Sequence, residues 1–122
     1  MMRPDGGAGL TVYICVEPVD FRKRCDALSV LVQEALALNP FDEQLFVFTN
    51  KRRDQCRVLY WERSGFVLWS KKLQKQRFPW PRRGDADSAT LTLSAHDLNL
   101  LLDGYDIWRM QPHQRLFFES VA

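Results

Sequence analysis

Residues 45–81 read LFVFTNKRRDQCRVLYWERSGFVLWSKKLQKQRFPWP. Leu45, Phe46, Val47 and Phe48 are consecutive apolar residues, the pattern of a central strand buried on both faces. Residues 55–62 and 66–73 are rich in β-branched and aromatic side chains and alternate with period two, which predicts two further strands. Ser64-Gly65 between them suits a two-residue hairpin turn, with Gly65 free to take positive φ. In that register Tyr60 faces Trp69, Trp61 faces Leu68 and Arg57 faces Lys72. Cys56, Val58, Tyr60, Val67, Trp69 and Leu73 then share the better core face. Arg57, Leu59, Trp61, Arg63, Phe66, Ser70 and Lys72 share the other, the better candidate for contact with a partner.

Working outward from the hairpin, residues 11–16 (TVYICV) are β-branched and end at Glu17-Pro18, where a ladder donor is lost. Asp20 is an N-cap candidate for a helix over 21–38. There Phe21, Cys25, Leu28, Leu31, Val32, Ala35 and Leu36 recur at spacings of three and four, and Asn39-Pro40 ends the run. This helix is expected to be the main cover of the sheet. Arg22-Lys23-Arg24 in its first turn reads equally well as a solvated helix start or as a phosphate contact. Downstream, residues 82–89 read as a polar loop and 90–93 as a short strand. Ser94 with Asp97 forms a capping-box pattern, Leu98, Leu101 and Leu102 give one apolar side, and Gly104 is a C-terminal stop. Leu116-Phe117-Phe118 in the tail suits either a late strand or surface packing. The expectation is a single α+β domain: an antiparallel sheet with a central hairpin, covered by one main helix, plus a short C-terminal helix. It spans 11–106, between a flexible N-terminal arm (1–10) and a tail (107–122) with no assigned structure.

At 122 residues and 46% hydrophobic content the chain is long enough for one self-sufficient core. No apolar run approaches the ~20 residues of a membrane span. The Gly-rich N-terminus lacks the apolar segment of a signal peptide. Three dispersed cysteines, Cys15, Cys25 and Cys56, suit free thiols in a reducing, cytoplasmic setting. His96 and His113 are too few for a Cys/His zinc pattern.

Charge is divided unevenly. Residues 51–83 hold eleven Lys/Arg and two Asp/Glu, a net +9, while the remainder of the chain carries −7. Clustered cations gain affinity for polyanions through counterion release, and Arg also forks onto phosphate or stacks on bases. Aromatic residues threaded among them supply stacking surfaces, with Trp61, Phe66, Phe78 and Trp80 the exposed candidates. Core packing is the ordinary role of any one of these rings. Lys51, Arg52, Arg53, Arg57, Lys72 and Arg77 are the candidate phosphate clamps and Trp80 the candidate aromatic platform. Asp54 and Glu62 are the basic block's carboxylates, too few and too separated for a metal nuclease. No nucleophile elbow, Gly-rich phosphate loop or His-Glu zinc motif is present. The reading is therefore non-catalytic, without cofactor or metal.

The run Leu45-Phe46-Val47-Phe48, Asn50-Lys51-Arg52-Arg53-Asp54, then Val58-Leu59-Tyr60-Trp61, Gly65-Phe66, Leu73 and Arg77-Phe78-x-Trp80-Pro81 resembles the TnpB accessory proteins, the second-reading-frame products of IS-sixty-six type bacterial insertion sequences. These are unrelated to the RNA-guided nucleases of the same name. Pro18-x-Asp20-x-Arg22-Lys23 upstream and Leu93-Ser94 to Asp103-Gly104 downstream extend the resemblance over about 12–106. Arg24 and Ala27 depart from glycines common in the family, and Arg63-Ser64-Gly65 from its Asp-Gly turn. The resemblance implies an accessory protein that supports a DDE-type transposase, with DNA or the transposase of the same element as partner, and it carries over no catalytic residues. The charge map independently favours DNA. The alternatives are a protein–protein adaptor to the transposase, acting through the acidic remainder and the 94–106 helix, and a small RNA-binding module. Oligomeric state stays open.

Overall fold

A computed structural model describes residues 10–42, 44–81 and 89–110. The strands among these residues are β1 (Val12–Cys15), β2 (Leu45–Thr49), β3 (Gln55–Glu62), β4 (Gly65–Lys72) and β5 (Thr90–Leu93). The helices are α1 (Cys25–Glu34), α2 (Ala95–Leu102) and α3 (Ile107–Met110). The strands form one sheet in the order β4-β3-β2-β1-β5. The sheet is mixed, where an antiparallel one was expected. β1 and β2 run parallel because α1 carries the chain across between them, and the other pairs are antiparallel.

β2 is buried along its whole length, as its unbroken apolar run requires of a strand covered on both faces. Cover comes from two sides. Leu28 and Val32 of α1 pack on Phe46, Phe48 and Leu59, with Phe66 and Leu68 at the margin. On the opposite face Leu98, Leu101 and Leu102 of α2, with Ile107, pack on Val12, Ile14, Val47, Val58 and Trp69. The face of Leu59 and Phe66, expected to meet a partner, is therefore filled by α1, and α2 covers the other. Ile107 is buried, so the core runs past residue 106. The Leu116-Phe117-Phe118 segment lies outside the described residues.

The hairpin register is shifted by two residues from the sequence expectation. Tyr60 faces Val67, Val58 faces Trp69, Arg57 faces Ser70 and Gln55 faces Lys72. The turn is Arg63-Ser64, and Arg63 rather than Gly65 takes the left-handed φ, 52°. A two-residue shift leaves every side chain on its expected face. It also places Trp61 against Phe66, ring centroids 5.0 Å apart, where the expected register would oppose Phe66 to Arg63. That aromatic pair contributes about 0.5–1.5 kcal/mol, which offsets much of the ~1–2 kcal/mol cost of a left-handed non-glycine residue.

α1 is shorter than its periodicity suggests. The Asp20 carboxylate accepts from the Arg22 N–H (2.9 Å), and the Asp20 carbonyl accepts from the Lys23 N–H (3.1 Å), closing a separate turn before the helix. The helix starts after Arg24, which supplies no side-chain cap. At its far end Ala37 takes φ 56° and the chain turns away. α2 follows its signals closely. Ser94 Oγ accepts from the Asp97 N–H at 3.1 Å. Gly104, at φ 94°, donates to Leu101 O while Tyr105 N–H donates to Leu100 O, a Schellman ending. Lys71 Nζ adds a 2.8 Å bond to Leu102 O, placing a cation at the negative end of the helix.

Candidate nucleic-acid interface

The Asn50–Asp54 turn joining β2 to β3 is locked by its own side chains. Asn50 Nδ2 donates to Asp54 Oδ1 at 2.7 Å, and Asn50 Oδ1 accepts from the Gln55 N–H at 3.2 Å. Thr49 Oγ1 donates to Gln55 O at 2.9 Å. Arg53 closes the turn through its N–H to Asn50 O (3.0 Å) and takes φ 59°. Lys51 and Arg52 are left projecting from the tip, both exposed. Arg52 Nε lies 3.9 Å from Asp54 Oδ2, too far for a tight pair, so its side chain, 82% exposed, stays available. The Asn50 bond, aided by Arg52 and Lys72, holds the Asp54 carboxyl below the usual carboxylate range.

The other predicted cations are spread around this end of the sheet. Lys72, the last residue of β4, pairs with Gln55 and is exposed. Arg77 is exposed, and its neighbour Phe78 is tied to the turn by a 2.6 Å bond from its N–H to Arg53 O. Residues far apart in sequence thus gather at one end of the sheet. Arg53 contributes differently: its Nε is buried and meets no acceptor among the described residues.

Arg57 is an internal brace. Its Nη1 donates to Phe21 O (2.8 Å) and Lys23 O (3.3 Å), and its guanidinium lies 4.4 Å from the Phe21 ring centroid. It pins the α1 lead-in to β3. Trp80, expected as an exposed platform, is 6% exposed and donates from Nε1 to Cys15 O at 2.9 Å. Phe78 is 1% exposed. Both belong to the core beside α2, because residues 73–81 fold back across the sheet face instead of running over the surface. Trp61 and Phe66 are half-buried.

The sequence reading missed the second wall of this end. Val19 N–H donates to Thr49 O at 2.8 Å and brings the loop before α1 against the β2–β3 turn. Between them lies an open groove of about 480 Å³, lined by Phe21 and Arg22 on one side, Lys51 and Arg52 on the other, and Gln55 and Arg57 at the base. Arg22 is held by Asp20 through bonds of 2.6–3.1 Å, and this pairing lowers the Asp20 pKa to about 2. The Pro18-x-Asp20-x-Arg22-Lys23 motif was the available signal for this wall. Among the described residues, no group of three or more His, Cys, Asp and Glu side chains could hold a metal ion.

The family described as IS66 Orf2 like protein matches residues 10–112. The chain belongs to this family. IS66 Orf2-like proteins are transposon-associated accessory proteins rather than known enzymes. Two relatives come from Sinorhizobium fredii (strain NBRC 101917 / NGR234). Uncharacterized protein y4jC is 36% identical over 103 residues, covering 84% of this chain and 86% of the relative. Uncharacterized protein y4hO is 35% identical over the same lengths. No solved structure matches the chain. The match includes both walls of the groove and the whole sheet. No helix among the described residues is long and apolar enough to cross a membrane.

Proposed function

We propose that this protein binds DNA through the basic end of its sheet, in support of the transposase of its element. The observation that carries the reading is the locked Asn50–Asp54 turn, which holds Lys51 and Arg52 outward beside Lys72 and Arg77. Fixing the backbone beforehand reduces the ordering cost of each phosphate contact. The two nearby carboxylates, Asp20 and Asp54, are engaged by Arg22 and Asn50 and oppose phosphate less than free carboxylates would.

Titration into labelled duplex at several salt concentrations tests this. Four phosphate contacts give log K against log[salt] a slope of roughly −3.6. Lys51→Glu with Arg52→Glu weakens binding about equally across sequences, because phosphate contacts position without specifying. Absent or salt-independent binding by the folded protein refutes the proposal.

A second reading, contact with the transposase, is favoured by the opposite end of the hairpin. Phe41, 52% exposed, packs against Trp61 and Phe66 with centroids 5.1 and 5.3 Å away. A partly exposed aromatic cluster of this kind, with Phe41 outermost, suits a protein partner. Loss of transposase capture in Phe41→Ser, with DNA affinity retained, is its test.

A further inference from the structure

We propose that the groove between the β2–β3 turn and the α1 lead-in receives one unpaired nucleotide of the bound DNA. In this arrangement Lys51 and Arg52 hold the phosphate, Phe21 meets the base, and Gln55 faces its hydrogen-bonding edge. This rests on the DNA-binding reading and goes further by assigning strandedness.

Size is the first argument. About 480 Å³ lies within the range of small-ligand sites and accommodates a nucleotide, whereas a duplex meets only the rim. Composition is the second. A plain phosphate-tracking surface needs cations alone, but this groove also has an aromatic wall, the half-buried Phe21. The Phe21 ring is fixed from one side by the Arg57 guanidinium at 4.4 Å, so its place in the groove is set before any ligand arrives. Gln55 is the third. Its backbone N–H and carbonyl are used by Asn50 and Thr49, but its half-buried side-chain amide makes no hydrogen bond among the described residues. A donor–acceptor pair on a rigid strand, opening into a groove with a stacking wall, matches a base edge rather than a phosphate. The walls are rigid for separate reasons: Asp20 closes the turn on one side, and Asn50 with Asp54 closes it on the other. The groove therefore exists without the ligand.

The deciding experiment compares a duplex carrying one extrahelical 2-aminopurine with the fully paired duplex of equal length, using the full chain. Deoxyadenosine monophosphate alone is a third arm. The bulged duplex is expected to bind about tenfold or more tightly than the paired one, in keeping with a stacked base, and the probe's fluorescence changes on binding. In Gln55→Ala, checked for an unchanged melting temperature, the bulged-to-paired affinity ratio falls toward one. Equal, salt-dependent affinity for both duplexes overturns the unpaired-nucleotide site while leaving DNA binding standing. No binding to either duplex overturns the DNA-binding reading itself. Monophosphate binding as tight as that of the bulged duplex assigns the groove to free nucleotides and overturns the strand assignment.

Discussion

Replacing Trp80 separates two roles that its sequence context leaves entangled. The ring sits in a Pro-Trp-Pro run beside three arginines, as a base-stacking residue would, yet the folded chain encloses it. It is 6% exposed, packs among Val12, Ile14 and Leu98, and donates from Nε1 to Cys15 O at 2.9 Å. Trp80→Phe keeps most of the apolar bulk and deletes that donor. The carbonyl at the end of β1 then loses a buried partner, which costs about 1–3 kcal/mol. Trp80→Ala adds a cavity under α2, bringing the loss to about 3–5 kcal/mol. For a chain of this size each kcal/mol corresponds to roughly 3–5 °C, so Trp80→Phe should melt about 3–15 °C lower. Urea unfolding supplies the free energy and calorimetry the melting temperature. Below the transition, Trp80→Phe should bind duplex and single strand within about twofold of the parent, since the lost donor never faces solvent. A variant with unchanged stability and lost single-strand binding would refute the reasoning, because only an exposed stacking ring behaves that way.

Arg63→Gly should stabilise the protein by about 0.5–1 kcal/mol in urea unfolding, since it relieves a left-handed φ of 52°; were Gly65 the left-handed residue, glycine at 63 would weaken the strand instead. Arg57→Lys keeps the charge but loses the fork onto Phe21 O and Lys23 O; stability should fall by about 1–3 kcal/mol while the salt slope of DNA binding stays the same. Asp54 has a lowered folded-state pKa, so its stabilising effect is complete above the ordinary carboxylate range and fades as pH falls through the lowered value. Carboxyl NMR titration should show that depression, and Asp54→Asn should remove this part of the acid lability.

The fold was legible where one pattern sufficed. The period-two alternation of 55–73 assigned both faces of the hairpin, and an unbroken apolar run marked β2 as central. Ser94 and Gly104 announced the ends of α2. Register was harder to read, because Arg63-Ser64 and Ser64-Gly65 produce the same faces, and the choice between them rests on where Trp61 meets a cross-strand ring. The start of α1 was misread because Asp20 can cap a helix or close an isolated turn, and here it closes the turn. Lys51 and Arg52 were legible as exposed cations because Asn-Lys-Arg-Arg-Asp follows an apolar strand directly. Trp80 and Arg57 were not, since their partners lie 65 and 36 positions away in the chain. The groove needs two loops brought together by the Val19 bond to Thr49, and no local pattern reports that contact.

One hairpin serves the core and both proposed interfaces, and this explains where those interfaces lie. With α1 on one face of β3 and β4 and α2 on the other, little of either face is left for a large partner, so contact falls to the strand ends. Six residue steps at about 3.3 Å each separate those ends by roughly 20 Å. Gln55 and Lys72 mark the basic end, and Trp61 and Phe66 the aromatic one. That spacing exceeds two Debye lengths at physiological salt, so charge at the first end has little influence on binding at the second. Substitutions at Lys51 and at Phe41 should therefore act additively on a ternary complex of protein, DNA and transposase. A coupling well beyond about 0.5 kcal/mol in a double-mutant cycle would mean that the two ends share one partner surface.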